Sequence, residues 1–171
     1  METMNRSSLF ALHDYGVYAN NLVLDTTANM SEEELTRPVS PSHGSVKALL
    51  LHLLMCEYGF LVRCTGSPIE GSPDDLESLD LNGIRALFDT VSALRKDYLD
   101  SVSEEALAEV IEIQLMQKPF RLARWQMLAQ SLIHSVHHRG ELSIVMTGLE
   151  HPLPTLDPIL KFIHDSGQVW E

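Results

Sequence analysis

Cysteine is scarce in this chain: two thiols in 171 residues, so no disulfide framework is available to brace the fold. Cys56 and Cys64 lie eight positions apart on one predicted helix. That is about 12 Å along the axis, beyond the reach of a disulfide. Two free thiols fit a reducing compartment, and a cytoplasmic location is expected. Positive charge is also scarce, with 12 Lys and Arg against 24 Asp and Glu and a net charge of −12. Phosphate backbones and anionic lipid are poor partners for such a surface, so neither a nucleic acid nor a membrane is expected. No stretch joins a basic start to an apolar middle and a small-residue cleavage site, so no signal peptide is expected. The longest apolar helix carries Lys47, His52, Glu57 and Arg63, which argues against a membrane span. At this length a core can be buried without staples, and one domain over 1–171 is expected.

What the chain does have is histidine, eight in all, with the densest group at His134-Ser135-Val136-His137-His138-Arg139-Gly140-Glu141. The group sits in a long helical pattern that meets no proline until Pro152. Four helical residues advance about 6 Å and turn about 400°, so His134 and His138 project side by side, with Glu141 on the same stripe. Two imidazoles and a carboxylate on one face suit a divalent metal. The His-Glu-x-x-His arrangement of zinc proteases is absent, since Ser135 stands where its glutamate would be. Taken alone, the pair fits core packing as well as chelation.

His52 is the candidate third ligand. It lies inside residues 46–62, a run apolar nearly all the way round that reads as a helix packed on several sides. A histidine there loses water and needs a carboxylate, a backbone carbonyl or a metal. A His pair on a second buried helix favours the metal. Cys56 shares the His52 face four residues on, as an additional ligand, a pocket thiol or small core filler. His137 points about 60° from His134, toward the surface or the edge of the site. His13 approaches the site only if its face of the first helix turns inward, while His43, His151 and His164 fall at helix ends or in loops, where solvent is the default. Arg139 is expected to pair with a carboxylate or a helix end, and Gly140 to let another helix approach.

The pattern predicts a first helix over about 5–29, a short helix capped by Ser31 with Glu34, and a Pro38- and Pro41-punctuated loop over 36–44. A second long helix ends near Cys64, and an acidic Gly/Pro connection over 67–80 suits a crossover better than a hairpin. A third helix spans about 81–102, and 102–107 repeats the capping chemistry of 30–35. Residues 110–115 alternate as one short extended segment that Pro119 ends, the histidine helix stops at Gly148, and a short last helix covers about 159–164.

Tyr15-Gly16-Val17-Tyr18-Ala19-Asn20-Asn21-Leu22, Ser31-Glu32-Glu33-Glu34-Leu35, Gly44-Ser45-Val46 through His52, His134-x-x-x-His138-Arg139-Gly140-Glu141, and Pro152-Leu153-Pro154-Thr155-Leu156-Asp157 together resemble the DinB-like family (the DinB/YfiT type), over about residues 9–163. Tyr18 and Phe60 stand where that family usually has tryptophan, and Glu141 where it often has glutamine. The resemblance implies an all-α four-helix bundle with a long crossover connection and a short C-terminal helix. It also implies a metal triad of His52, His134 and His138.

Three histidines on two helices make an open site, with positions left for water and substrate. Such a site suits metal-assisted hydrolysis or metal-activated thiol chemistry, with Glu141 as general base or as acceptor behind a ligand histidine. The resemblance tilts the choice toward transfer of a low-molecular-weight thiol to a small-molecule substrate. A non-catalytic metal-binding stress-response protein is the alternative. Zinc or nickel is expected first and iron is compatible, because imidazole suits all three. A homodimer is expected from surplus apolar surface on the second helix and at Leu9, Phe10, Tyr15, Tyr18 and Leu22.

Overall fold

The computed structural model describes residues 4–67 and 76–169. Four long helices carry the architecture: α1 (Arg6–Thr27), α3 (Val46–Thr65), α4 (Leu81–Ser101) and α6 (Arg124–Gly148). Between them lie the short α2 (Glu32–Thr36), α5 (Glu104–Ala108), a hairpin of β1 (Val110–Leu115) and β2 (Lys118–Ala123), and finally α7 (Pro158–Asp165).

Local chemistry sets the helix starts. Asn5, Ser31, Ser45, Asp80 and Ser103 each accept a backbone N–H of the first turn, and Glu34 completes a capping box on Ser31. Gly66, at φ +73°, closes α3 in the left-handed conformation that glycine adopts without strain.

Cross-helix pairs fix the directions. Asp25 meets Arg85 and Arg6 meets Glu104, so α1 and α4 are antiparallel. His52 meets His138 while Cys64 meets Arg124, so α3 and α6 are antiparallel. Gly16 lies against Leu132 and Asn20 bonds Arg139, so α1 and α6 are parallel. It follows that α3 and α4, which pack side by side, run parallel, and the chain must return the length of the bundle between them. That is the expected crossover. Its residues 68–75 lie outside the described part.

The extended segment differs from expectation. Pro119 does not end a lone strand; it sits inside β2 opposite Gln114, across a turn where Met116 and Gln117 both adopt positive φ. A two-stranded hairpin is all edge, so a residue without an N–H is tolerated there.

By length and apolarity α3 alone among the described helices could cross a membrane. Here it is a core helix, packed on α2, α4 and α6. Met55 stays exposed on its outer side, and Leu51, Tyr58, Phe60 and Val62 are half-buried.

Two apolar clusters fill the ends of the bundle. One is built on Leu49, Leu50, Leu53, Ile84, Val91, Leu142 and Met146, the other on Leu9, Leu99, Leu107, Met127 and Leu128. Between them lies a buried polar layer. The Glu57 carboxylate accepts from Arg95 at 2.7 Å, Ser135 at 2.8 Å and Asn20 at 3.0 Å, and Arg95 Nε donates to His13 Nδ1 at 3.1 Å. Burial alone would raise the Glu57 pKa, but the Arg95 charge and these donors outweigh it and hold the carboxyl ionised. His13 is buried after all, but on Arg95 and not at the histidine cluster.

Burial, helped by the Arg95 charge, lowers the His13 pKa to about 4. The unfolded chain takes up a proton near pH 6.5 that the folded chain refuses. Stability is therefore full above pH 6.5 and falls as pH drops toward 4, by up to about 3 kcal/mol from this residue. Urea unfolding of metal-free protein between pH 7.5 and 4.5 is expected to show this slope, and His13→Gln to flatten it. Parallel slopes for the two proteins would refute the assignment.

Candidate metal centre

The packing of α3 on α6 is the most extensive helix contact in the fold, and the histidines sit on it. Glu57 and Ser135 lock the register one helical turn away, through a bond of 2.8 Å. In that register the Nε2 atoms of His52, His134 and His138 form a triangle with sides of 3.3, 3.1 and 3.1 Å. A neutral imidazole Nε2 bears either a proton or a lone pair, so three of them cannot satisfy one another around a triangle. Three lone pairs directed at one cation can. Ligands at about 2.0–2.1 Å from a tetrahedral ion would stand about 3.3–3.4 Å apart. The residues present therefore fit a divalent metal.

Desolvation lowers all three pKa values, and the neighbouring imidazoles add to it; His138 is brought down to about 4. The cluster is thus neutral at pH 7, which is the state a metal needs. Cys56 Sγ lies 3.6 Å from His52 Nε2, and His52, Cys56 and His134 form one group of possible donors within 4.8 Å. Burial, then the Glu57 charge, pushes the Cys56 thiol up, so without a metal it stays protonated.

A second possible donor group joins His43, His138 and Glu141. Solvent was the expectation for His43, and the structure corrects it. Its ring lies 3.9 Å from that of His52, tilted 33°, and 5.1 Å edge-on to that of His138. The loop before α3 puts it there: Ser40 pairs with Gly44, whose φ is +90°, and the His43 N–H donates to Ser40 Oγ at 3.1 Å. Glu141 clamps that loop, accepting from Ser40 Oγ at 2.6 Å and from Ser42 Oγ at 2.6 and 2.7 Å. Those hydroxyls hold the Glu141 carboxyl below its ordinary pKa. The same carboxylate faces His138 Nδ1 at 3.8 Å, a buried ring nitrogen with no hydrogen-bond partner.

The opening beside His52 is a cavity of about 570 Å³ walled by Thr36, Ser45, Lys47, Leu51 and Met55. No residue of α1 lines this cavity. Helix α1 stands diagonally across the bundle from α3, and the cavity lies on the outer side of α3. His137 is exposed, its ring 4.9 Å from that of His138, while His151 contacts Glu34 at 3.3 Å and His164 is exposed. Arg139 meets neither a carboxylate nor a helix end but the Asn20 amide oxygen at 2.7 Å. A side chain at Gly140 would meet open space, so no helix approaches there.

The DinB family profile matches residues 2–164. The chain belongs to the DinB family. Solved structures of similar fold include a DinB-like protein (YjoA) of Bacillus subtilis, 19% identical, with a TM-score of 0.63 over 85% of this chain and 97% of that one. A conserved protein of Enterococcus faecalis is 19% identical, with a TM-score of 0.61 over 78% and 92%. A DinB-like protein of Bacillus cereus is 15% identical, with a TM-score of 0.56 over 81% and 91%. At such identities the likeness speaks for the fold. No curated protein matches.

Proposed function

We propose that this DinB-family chain is a metal-dependent enzyme that holds one divalent ion on His52, His134 and His138 and transfers a low-molecular-weight thiol to a small substrate, with hydrolysis as the second chemistry open to it. The observation that carries the reading is the triangle of three neutral Nε2 atoms beside a cavity of about 570 Å³. When bound, a divalent ion on three neutral imidazoles acts as a Lewis acid and lowers the pKa of a thiol or water placed on it. The residues supply the rest. Leu51 and Met55 give the cavity an apolar wall, Lys47 and Thr36 polar points that orient a substrate, and the His43 ring covers His52 against water. A panel of small thiols and electrophiles, assayed on protein of known metal content, tests the transfer. Turnover that is unchanged after chelation would refute it.

Glu141 acts here as a positioning residue: it clamps the His43 loop through Ser40 and Ser42, and its carboxylate stands 3.8 Å from His138 Nδ1, near enough to favour the tautomer that leaves Nε2 free for a metal. Glu141→Gln is expected to keep the fold and one metal per chain at saturation while weakening metal affinity about 10–100-fold. A loss of kcat beyond about a hundredfold at full metal loading would instead make Glu141 a general base.

The expected homodimer also stands as a proposal, with its surface moved. On α6 the stripe Ile133, Val136 and Ile144 is exposed, Ile144 by 77%. Light scattering should give twice the chain mass, and Ile144→Glu should halve it; a monomer at all concentrations would reject this.

A further inference from the structure

Arg139 poses a problem that the metal centre does not answer. Its side chain is buried, only 1% exposed, and a guanidinium stays charged in a protein. Its direct contacts are neutral: Nη1 donates to the Asn20 amide oxygen at 2.7 Å, and Tyr15 meets it with its hydroxyl and with its ring, 5.3 Å from Cζ, while the Glu57 charge acts on it without an ion-pair contact. Its Nε and Nη2 atoms are covered from water and have no hydrogen-bond partner. The buried layer holds two guanidiniums, Arg95 and Arg139, and one carboxylate, Glu57, which binds Arg95 directly. One buried positive charge is left over, an arrangement that is costly unless an anion meets it.

The two orphaned atoms define the anion's shape. Nε–H and Nη2–H are the parallel donors along one edge of the guanidinium, the edge that grips both oxygens of a carboxylate. Arg139 also lines a cavity of about 440 Å³ between α1, α6 and the segment after α6, with Tyr15, Val136, Gly140, Leu153 and Pro158 among its walls. Val136, Gly140 and Ser143 lie on the face of α6 nearly opposite His134, His138 and Glu141. This cavity is therefore separate from the metal centre. We infer that it is a second binding site, which takes a small organic carboxylate bidentate on Arg139 with its apolar part between Tyr15 and Leu153. The strap over 153–157 has no regular structure and is held to α1 by Tyr15 Oη donating to the Leu156 carbonyl at 2.7 Å, so it is the part that yields to admit the ligand.

The test titrates the full chain with benzoate, its neutral isostere benzamide, inorganic phosphate and N-acetyl-alanyl-alanine, by calorimetry and by thermal shift. Each titration is run on metal-loaded and on chelator-treated protein. Saturable benzoate binding tighter than about 1 mM is expected in both metal states, with benzamide and phosphate at least about tenfold weaker. The peptide arm separates sources: tighter binding of the dipeptide assigns the site to a peptide C-terminus, weaker binding to a free acid. Arg139→Met should abolish binding. Because that change touches the buried layer, Gly140→Leu is the companion: its side chain enters open space at the cavity wall and should abolish binding in a folded protein. Equal binding of benzoate and benzamide, binding that disappears on chelation, or binding that survives Gly140→Leu would each overturn the inference. So would a wild type that binds nothing, including one that gains binding only with Asp157→Asn, since the chain's own carboxylate at the cavity edge would then fill the site.

Discussion

Protein carrying His138→Ala is expected to lose its metal while remaining helical. His138 Nε2 stands 3.1 Å from both other ligand nitrogens, so removing it leaves two donors on two different helices. Apparent zinc free energies of about 10–16 kcal/mol over four ligands put about 2.5–4 kcal/mol on each, so affinity should fall about a hundredfold to a thousandfold. His52→Ala should act equally, and His137→Ala hardly at all, because His137 stands exposed on the neighbouring face. Elemental analysis after dialysis against a weak chelator reads all three. Stability should change little, since the apolar clusters at both ends and the polar layer between them involve none of the three ligands. A protein that unfolds when the metal is stripped would move the site to a structural role and favour the non-catalytic reading.

The second large effect concerns the bundle's middle. Glu57→Gln should cost about 3–5 kcal/mol in urea unfolding at pH 7, because Arg95 and Arg139 would then be buried with no negative charge near them. Arg95→Met should cost a similar amount by stranding Glu57. The double variant Glu57→Met/Arg95→Met should be less destabilised than the sum of the two, by a kilocalorie or more on the order typical of contacting residues. Additive losses, or a Glu57→Gln cost below about 1 kcal/mol, would mean that the pair is not coupled as the 2.7 Å contact implies.

The difference between what the sequence disclosed and what it hid follows from contact range. Helix starts were legible because a cap such as Ser31 with Glu34 is decided within four residues. The face shared by His134 and His138 follows from helical periodicity alone, and the crossover from the length and composition of 67–80. The His43 placement was not legible. It depends on Glu141 gripping Ser40 and Ser42 across about a hundred positions, and nothing local marks Glu141 as a loop clamp. The polar layer was hidden for the same reason: Glu57 read only as a charge unsuited to a membrane helix, and its partners Asn20, Arg95 and Ser135 lie on three other helices. Arg139 misled the reading because a buried guanidinium without a carboxylate is the less common case. The second strand is hidden by Pro119, which breaks a strand inside a sheet but is tolerated in an isolated hairpin.

X-ray absorption at the metal edge of the purified, metal-loaded protein addresses the central claim most directly, because it counts donors by element and distance. Three imidazole nitrogens at about 2.0–2.1 Å, with no sulfur shell, at one metal per chain, is the predicted result for zinc. A sulfur at about 2.3 Å would put Cys56 in the ligand set, fewer than three nitrogens beside it would remove one of the histidines, and protein that retains no stoichiometric metal would contradict the triad altogether.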